Sequence, residues 1–285
     1  MVVWEVPDTQ LNLAQTLDCG QSFRWVQLDD DLFEGVVQGH LCRIGRRGEQ
    51  LLLEGPTPQE ARTLWWRYFA LDLDYDRLKA AFCQDPVLSR AVAYAPGIRV
   101  LRQDPWEALC TFILSQNNNI PRIKGLVRRL CQRFGRPIQG DWFTFPTPQE
   151  LQGCTREDMA PLRSGFRARY LVDAVQKVNS NQVDLQTLFS APLPQARAQL
   201  QQICGVGPKV ADCTLLYGLQ RWACVPMDVW MKRVWANLYP NGFPAALSPW
   251  AGIAQQYLFH YARTCPGVLE PVPTAHSSRE PVLEG

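Results

Sequence analysis

The sequence predicts an α+β protein: an N-terminal antiparallel β-sheet domain with helices, followed by an all-helical region. Three features point to it. Residues 1–55 alternate apolar and polar positions in short runs broken by glycine and polar turns, as strands do. From Trp106 onward the apolar residues recur at helical spacing instead. Near residue 205, two glycines and a proline form a hairpin between helices.

Taken in order, strands are expected at Phe23–Val26, Leu32–Val37, Leu41–Ile44 and Leu51–Leu53. A helix from Pro58 to Phe69 and a helical segment from Tyr75 to Ala93 complete an N-terminal α/β domain of residues 1–95. The helical region is expected over 96–265, in two lobes near 104–178 and 179–265. Its first helices are Trp106–Gln116 and Ile123–Phe134, the latter with basic residues opposite its apolar face. Asp141–Pro148, rich in aromatics and proline, reads as a loop. Further helices are expected at Arg167–Asn179, Pro194–Ile203, Lys209–Gly218, Asp228–Leu238 and Pro249–Thr264. Proline and small polar residues from Pro266 onward predict a disordered tail, 266–285.

With 46% apolar and 20% charged residues over 285 positions, the chain has the composition of a soluble globular protein. No run of about 18 apolar residues is present, so no transmembrane helix and no membrane partner are expected. The N-terminus, MVVWEVPD, lacks the basic-then-apolar pattern of a secretory signal. Ten cysteines occur without C-x-x-C pairs, which signals neither a zinc site nor a disulfide framework. Free thiols fit a reducing compartment: the cytoplasm or nucleoid of a bacterium, or a eukaryotic nucleus. The net charge of +2 conceals an asymmetry. Residues 1–95 hold 9 Lys/Arg against 14 Asp/Glu, whereas residues 120–177 hold 11 against 5. Such a basic block is either a solvated helical face or the electrostatic footprint of a nucleic-acid backbone.

The stretch Ile203–Arg233 carries the chemistry. Gly205-Val206-Gly207 permits a tight turn with outward backbone N–H groups, a nest suited to phosphate. Pro208 suits the first position of the next helix. Lys209 follows in the first turn, where the helix dipole opposes a cation and favours the neutral amine that a nucleophile requires. Asp228, in VPMDVW, has the position of a helix N-cap. Alone, Lys209 reads as a solvated lysine and Asp228 as a structural cap; the combination at this spacing is far more specific.

This combination resembles the helix-hairpin-helix glycosylases of base-excision repair, in which a lysine here marks an enzyme that is both glycosylase and lyase. Four further segments resemble the 8-oxoguanine DNA glycosylases in particular, and the resemblance spans roughly 15–262. In Leu17–Trp25 the family's glycine, here Gly20, accepts a hydrogen bond from N7–H of the lesion. Guanine has a bare acceptor at N7, so one carbonyl can tell the two bases apart. In Ser115–Arg122 the resemblance implies that Asn117 and Arg122 bond the cytosine left unpaired when the lesion flips out. In Gly165–Tyr170 it implies Phe166 as the wedge, an aromatic lacking the family's hydroxyl, and Arg167 as a second reader of that cytosine. In Ala251–Phe259 it implies that Gln255 reads the flipped base and Phe259 stacks on it, with Cys213 forming the opposite wall.

The resemblance further implies phosphate contacts at Gly205, Gly207 and Val210. A structural Na+, K+ or Ca2+ would sit on the backbone carbonyls of Gln201, Ile203 and Val206, with no catalytic metal or other cofactor. After Cys224 only Cys265 remains, so the iron–sulfur cluster of some relatives is not expected. Trp230 stands where animal and fungal members have a phosphate-binding histidine, leaving Lys232 or Arg233 to substitute. The implied activity is that of a monomer excising 8-oxoguanine from double-stranded DNA, with Lys209 as nucleophile and Asp228 assisting. An alkylated-base glycosylase of the same superfamily and a non-catalytic DNA-gripping hairpin are the alternatives.

Overall fold

The structure, a computed structural model, describes residues 1–269. Five strands form one antiparallel sheet: β1 (Val2–Glu5), β2 (Trp25–Asp29), β3 (Leu32–Val37), β4 (His40–Arg47) and β5 (Gln50–Glu54), in the order β1-β5-β4-β3-β2. One strand and one short helix lie outside the expected elements. β1 pairs with β5 with Val2 opposite Leu53, but its four residues are too few to show an alternation. Helix α1 (Leu13–Leu17), capped by Asn12, is a single turn and equally short for a helical period. The first expected strand also begins late, at Trp25, because Phe23 turns away into the helical core.

Trp25, Phe33, Cys42, Ile44, Leu51 and Leu53 face one side of the sheet and are almost fully buried. Against them lies a helix made of α2 (Pro58–Glu60), a π turn (Ala61–Trp65) and α3 (Trp66–Tyr68), which contributes Trp65, Tyr68 and Phe69. Thr57 and Glu60 form a reciprocal capping box at its start. Gly35 is required at the centre of β3, since a Cβ there would lie 2.5 Å from the Trp25 ring.

The expected helix over 75–93 is two, α4 (Tyr75–Phe82) and α5 (Pro86–Tyr94). Asp85 caps the second, and Pro86 occupies its first turn. Both pack into the helical core, through Tyr75, Phe82, Leu88 and Ala91, rather than into the sheet's core. The division between the two cores therefore does not fall at residue 95. It falls near residue 70, with Cys19 and Phe23 already in the helical core and Leu101 returning to the sheet side.

The helical region comprises α6 (Pro105–Ser115), α7 (Ile120–Phe134), α8 (Arg167–Asn179), α9 (Leu193–Leu200), α10 (Pro208–Cys213), α11 (Val229–Leu238) and α12 (Ala251–Thr264). α6 is apolar on nearly every face and forms its centre, buried from Trp106 to Leu114. Within the expected loop at 141–148, Trp142–Phe143 forms a strand, β7, which pairs with β6 (Pro137–Gln139) just before the loop in a small hairpin. Trp142 Nε1 ties it to the sheet by donating to Glu34 Oε1 at 2.7 Å. In the expected tail, Pro266–Leu269 is a 3-10 turn packed on α11 and α12; residues 270–285 lie outside those described. Among the described residues, no helix is long and apolar enough to cross a membrane. All ten cysteines are free thiols.

Arg99 bolts the two cores together. Its guanidinium is buried and donates to the carbonyls of Gln10 (2.8 Å), Phe69 (3.0 Å), Ala70 (2.6 Å) and Leu73 (2.9 Å). It also lies 4.0 Å over the Tyr75 ring. Replacing it with leucine leaves the Gln10 and Phe69 carbonyls without donors among the described residues, so Arg99→Leu is expected to lose about 3 kcal/mol of stability. A denaturant midpoint equal to wild type would contradict that role.

Candidate active site and nucleic-acid face

The hairpin joins α9 to α10. Gly205 has φ +77, and a Cβ on it would stand 2.4 Å from the Tyr170 ring, so only glycine fits. The underside is braced by Asp173, whose Oδ2 accepts from Cys204 N (2.6 Å) and from Lys177 Nζ (2.8 Å). Gly207 caps α10 in extended backbone, with open space where its side chain would be. The N–H groups of Gly205, Gly207 and Val210 have no acceptor among the described residues. They are unpaired donors at a helix N-terminus, the arrangement that binds phosphate. The carbonyls of Gln201 and Val206 accept no hydrogen bond among the described residues, and that of Ile203 accepts one, from Val206 N at 3.0 Å. Such neutral oxygen donors suit a hard cation.

Lys209 leaves the first turn of α10 toward α6. Its Nζ is 3.4 Å from Ser115 Oγ and 5.2 Å from the centre of the Phe112 ring. Asp228 caps α11, its Oδ1 accepting from Met231 N at 2.8 Å, which leaves Oδ2 free of protein donors among the described residues. Both groups act on Cys213, one helical turn beyond Lys209. Burial pushes that thiol up to about 11; the Lys209 ammonium opposes the shift and the Asp228 carboxylate adds to it. Lysine and thiol thus lie one turn apart on α10, and the carboxylate stands at the start of α11. Ser115 and Phe112 were not expected here, although Ser115 opens the asparagine segment.

Gly20 has φ +87, with Ile120 and Arg263 closing the space beside it, and its carbonyl accepts no hydrogen bond among the described residues. Gln255 is only 3% exposed, and its Oε1 is buried without a partner. Buried amide oxygens are nearly always bonded, so this oxygen can accept a donor from outside the chain. Phe259, half-buried, lies one turn further along the same face of α12.

The three asparagines after α6 do different work. Asn118 Nδ2 donates to Leu114 O (3.1 Å), finishing α6, and Asn119 caps α7 by accepting from Arg122 N (3.0 Å). Asn117 sits in the left-handed region (φ +46) with its side chain exposed. Arg122 is exposed too, without an ion-pair partner among the described residues. Phe166 is 46% exposed beside them, with the Arg167 guanidinium 4.4 Å over its ring and Tyr170 edge-on at 5.7 Å. Arg167 departs from its expected place at the opposite base. Its guanidinium turns inward and donates to the carbonyls of Gln116, Asn117 (2.9 Å) and Ser164 (3.2 Å). The Gln116 and Asn117 carbonyls would otherwise be left unpaired at the end of α6, and Arg167 pins the turn that presents Asn117. On α11, Lys232 and Arg233 are exposed, and Arg233 lies 5.6 Å over Trp230, so Trp230 supports a cation where the family's histidine would stand.

The hairpin offers bare N–H groups beside a seated lysine, with a carboxylate oxygen at the start of α11 that is free of protein donors among the described residues. Fold and site together are those of a helix-hairpin-helix DNA glycosylase, and the matches agree. Residues 110–242 match the HhH-GPD superfamily of base excision DNA repair proteins, and residues 3–109 match the N-terminal domain of 8-oxoguanine DNA glycosylase. The chain belongs to the 8-oxoguanine DNA glycosylase family within that superfamily. It is 33% identical to a Saccharomyces cerevisiae N-glycosylase/DNA lyase over 254 residues, covering 79% of this chain and 68% of the yeast protein. Among solved structures it resembles MBOgg1 in complex with a low-affinity DNA ligand, with TM-score 0.86, 38% identity, and 92% and 95% of the two chains covered. It also resembles the Clostridium acetobutylicum 8-oxoguanine glycosylase/lyase bound to DNA with cytosine opposite 8-oxoG (TM-score 0.83, 32% identity, 89% and 92% covered).

Since Gly207 has room for a side chain and an ordinary φ, Gly207→Asp should fold normally while setting a carboxylate against the phosphate. Duplex affinity read by fluorescence anisotropy is expected to fall by about tenfold, some 1.4 kcal/mol. Unchanged affinity would place the phosphate elsewhere.

Proposed function

We propose that this protein acts as a monomer that excises 8-oxoguanine from double-stranded DNA, opposite cytosine, and then cuts the strand at the resulting site. The observation that carries the reading is Lys209 in the first turn after the hairpin, its Nζ 3.4 Å from Ser115 Oγ, together with Asp228 at the start of α11, whose Oδ2 has no protein donor among the described residues. The neutral Lys209 amine attacks C1′ of the flipped nucleotide; the C1′–N9 bond breaks, its electron pair leaves with the base, and the base takes up a proton. Asp228 stabilises the positive charge that builds on the sugar and assists that proton transfer. The sugar ring opens to a Schiff base on Nζ. Loss of a C2′ proton then expels the 3′ phosphate by β-elimination. Gly20 and Gln255 hold the flipped base, and Phe259 stacks on it. Phe166 fills the gap in the duplex, offsetting the few kcal/mol that unstacking costs. Asn117 and Arg122 bond the unpaired cytosine, with Arg167 setting the turn from which Asn117 reaches.

Borohydride trapping on an 8-oxoguanine duplex tests this. Wild type is expected to give a covalent band, strongest opposite cytosine and absent with undamaged guanine. Lys209→Gln is expected to bind the lesion and give none. Trapping by that variant would move the nucleophile elsewhere, and equal cutting opposite all four bases would remove the role given to Asn117 and Arg122.

A cation on the Gln201, Ile203 and Val206 carbonyls would brace the hairpin and take no part in bond making. Exchanging Na+ and K+ for choline at constant ionic strength, with chelator present, is then expected to weaken duplex binding while sparing the trapping yield at saturation. Indifference to the exchange would dismiss it.

A further inference from the structure

Glycine is conformationally permissive, so the direction of the Gly20 carbonyl must be imposed by its neighbours. On one side, Gln21 Nε2 donates to the carbonyls of Thr16 (2.8 Å) and Arg99 (2.7 Å), and its Oε1 accepts from Leu101 N (2.8 Å). The Gln21 carbonyl accepts from Gln103 Nε2 at 2.6 Å. On the other side, the buried Cys19 thiol donates to Thr16 O (3.3 Å) and accepts from Gln21 Nε2 (3.4 Å). One partner of that thiol comes from far along the chain. Gln256 Nε2 donates to Cys19 Sγ at 3.2 Å, and the Tyr217 hydroxyl donates to Gln256 Oε1 at 2.6 Å. The Tyr217 ring stacks on Phe112 at 5.2 Å and 18°, and Phe112 lies beneath Lys209 Nζ. A continuous buried path therefore runs from the lysine to the residue beside Gly20. Gln255 and Gln256, adjacent on α12, are opposites: the oxygen of one is unpartnered, while both ends of the other are bonded.

We propose that Gln256, held by Tyr217 and acting through Cys19, is a positioning residue that aims the Gly20 carbonyl and thereby sets the preference for 8-oxoguanine. The proposal rests on the excision of 8-oxoguanine given above. A hydrogen bond weakens steeply when misaligned, so a carbonyl that reads a single proton is only as selective as its aim. An abasic site carries no base to read, so Schiff-base cleavage at such a site does not need that aim.

The test compares single-turnover excision of 8-oxoguanine opposite cytosine with cleavage of a preformed abasic site in the same duplex. Gln256→Leu keeps the size and loses both bonds; Tyr217→Phe removes one oxygen and leaves the ring stack. Each is expected to slow excision by about tenfold while abasic cleavage stays within about twofold of wild type. Cys19→Ser retains one donor and two lone pairs and is expected to keep the wild-type ratio. A parallel loss of both activities would make the network merely structural and overturn the proposal, as would wild-type excision by both variants. Wild-type protein that cleaves abasic sites but leaves 8-oxoguanine in place would overturn the excision reading itself, and this inference with it.

Discussion

The buried guanidinium of Arg99 is the constraint on which the rest of the molecule depends. It satisfies carbonyls from the N-terminal arm and from the end of the sheet's helix, while its side chain packs in the helical core. Its own carbonyl accepts from Gln21, so the loop bearing Gly20 hangs from the same residue. A cation in such a place costs desolvation, and burial pushes its pKa down. Four carbonyl acceptors and an aromatic face offset that cost. The loop between α1 and β2 contributes Gly20 and α10 contributes Lys209, so the site depends on the junction that holds that loop in place.

The side formed by α7 and the start of α8 is a concentration of like charge. Burial lowers the pKa of Arg129, and Arg163, Arg128 and Arg122 push it further down. Arg167 is lowered by burial and then by Arg122. The repulsion is tolerable because several of these guanidinia are clamped on carbonyls, Arg129 on Leu162 (2.9 Å) and Arg167 on Gln116. Phosphates relieve it on binding, which makes association salt-dependent.

How much of this was legible in the sequence follows from the range of each interaction. The hairpin, the Asp228 cap and the alternating strands are set by residues within a few positions of one another, and they emerge where expected. β1 and α1 were too short to carry a period, and the break at Asp85 lay inside an otherwise helical pattern. Arg167 is the instructive difference. Its neighbours in Gly165–Tyr170 do not reveal that its acceptors are carbonyls fifty residues earlier. The Gln256–Cys19 bond closes across 237 positions and leaves no local trace. Ser115 was in view as part of a motif, but its contact with Lys209 required the packing of α10 on α6.

The unpartnered oxygen of Gln255 has a consequence for how this protein can change. An unsatisfied buried amide costs the empty enzyme about 1–3 kcal/mol, a sizeable share of the margin by which a domain stays folded. Leucine or methionine there would relieve that cost and raise the melting temperature. Thermostability and the base contact proposed for Gln255 therefore make opposite demands on one position. A screen scored on stability alone would discard the glutamine.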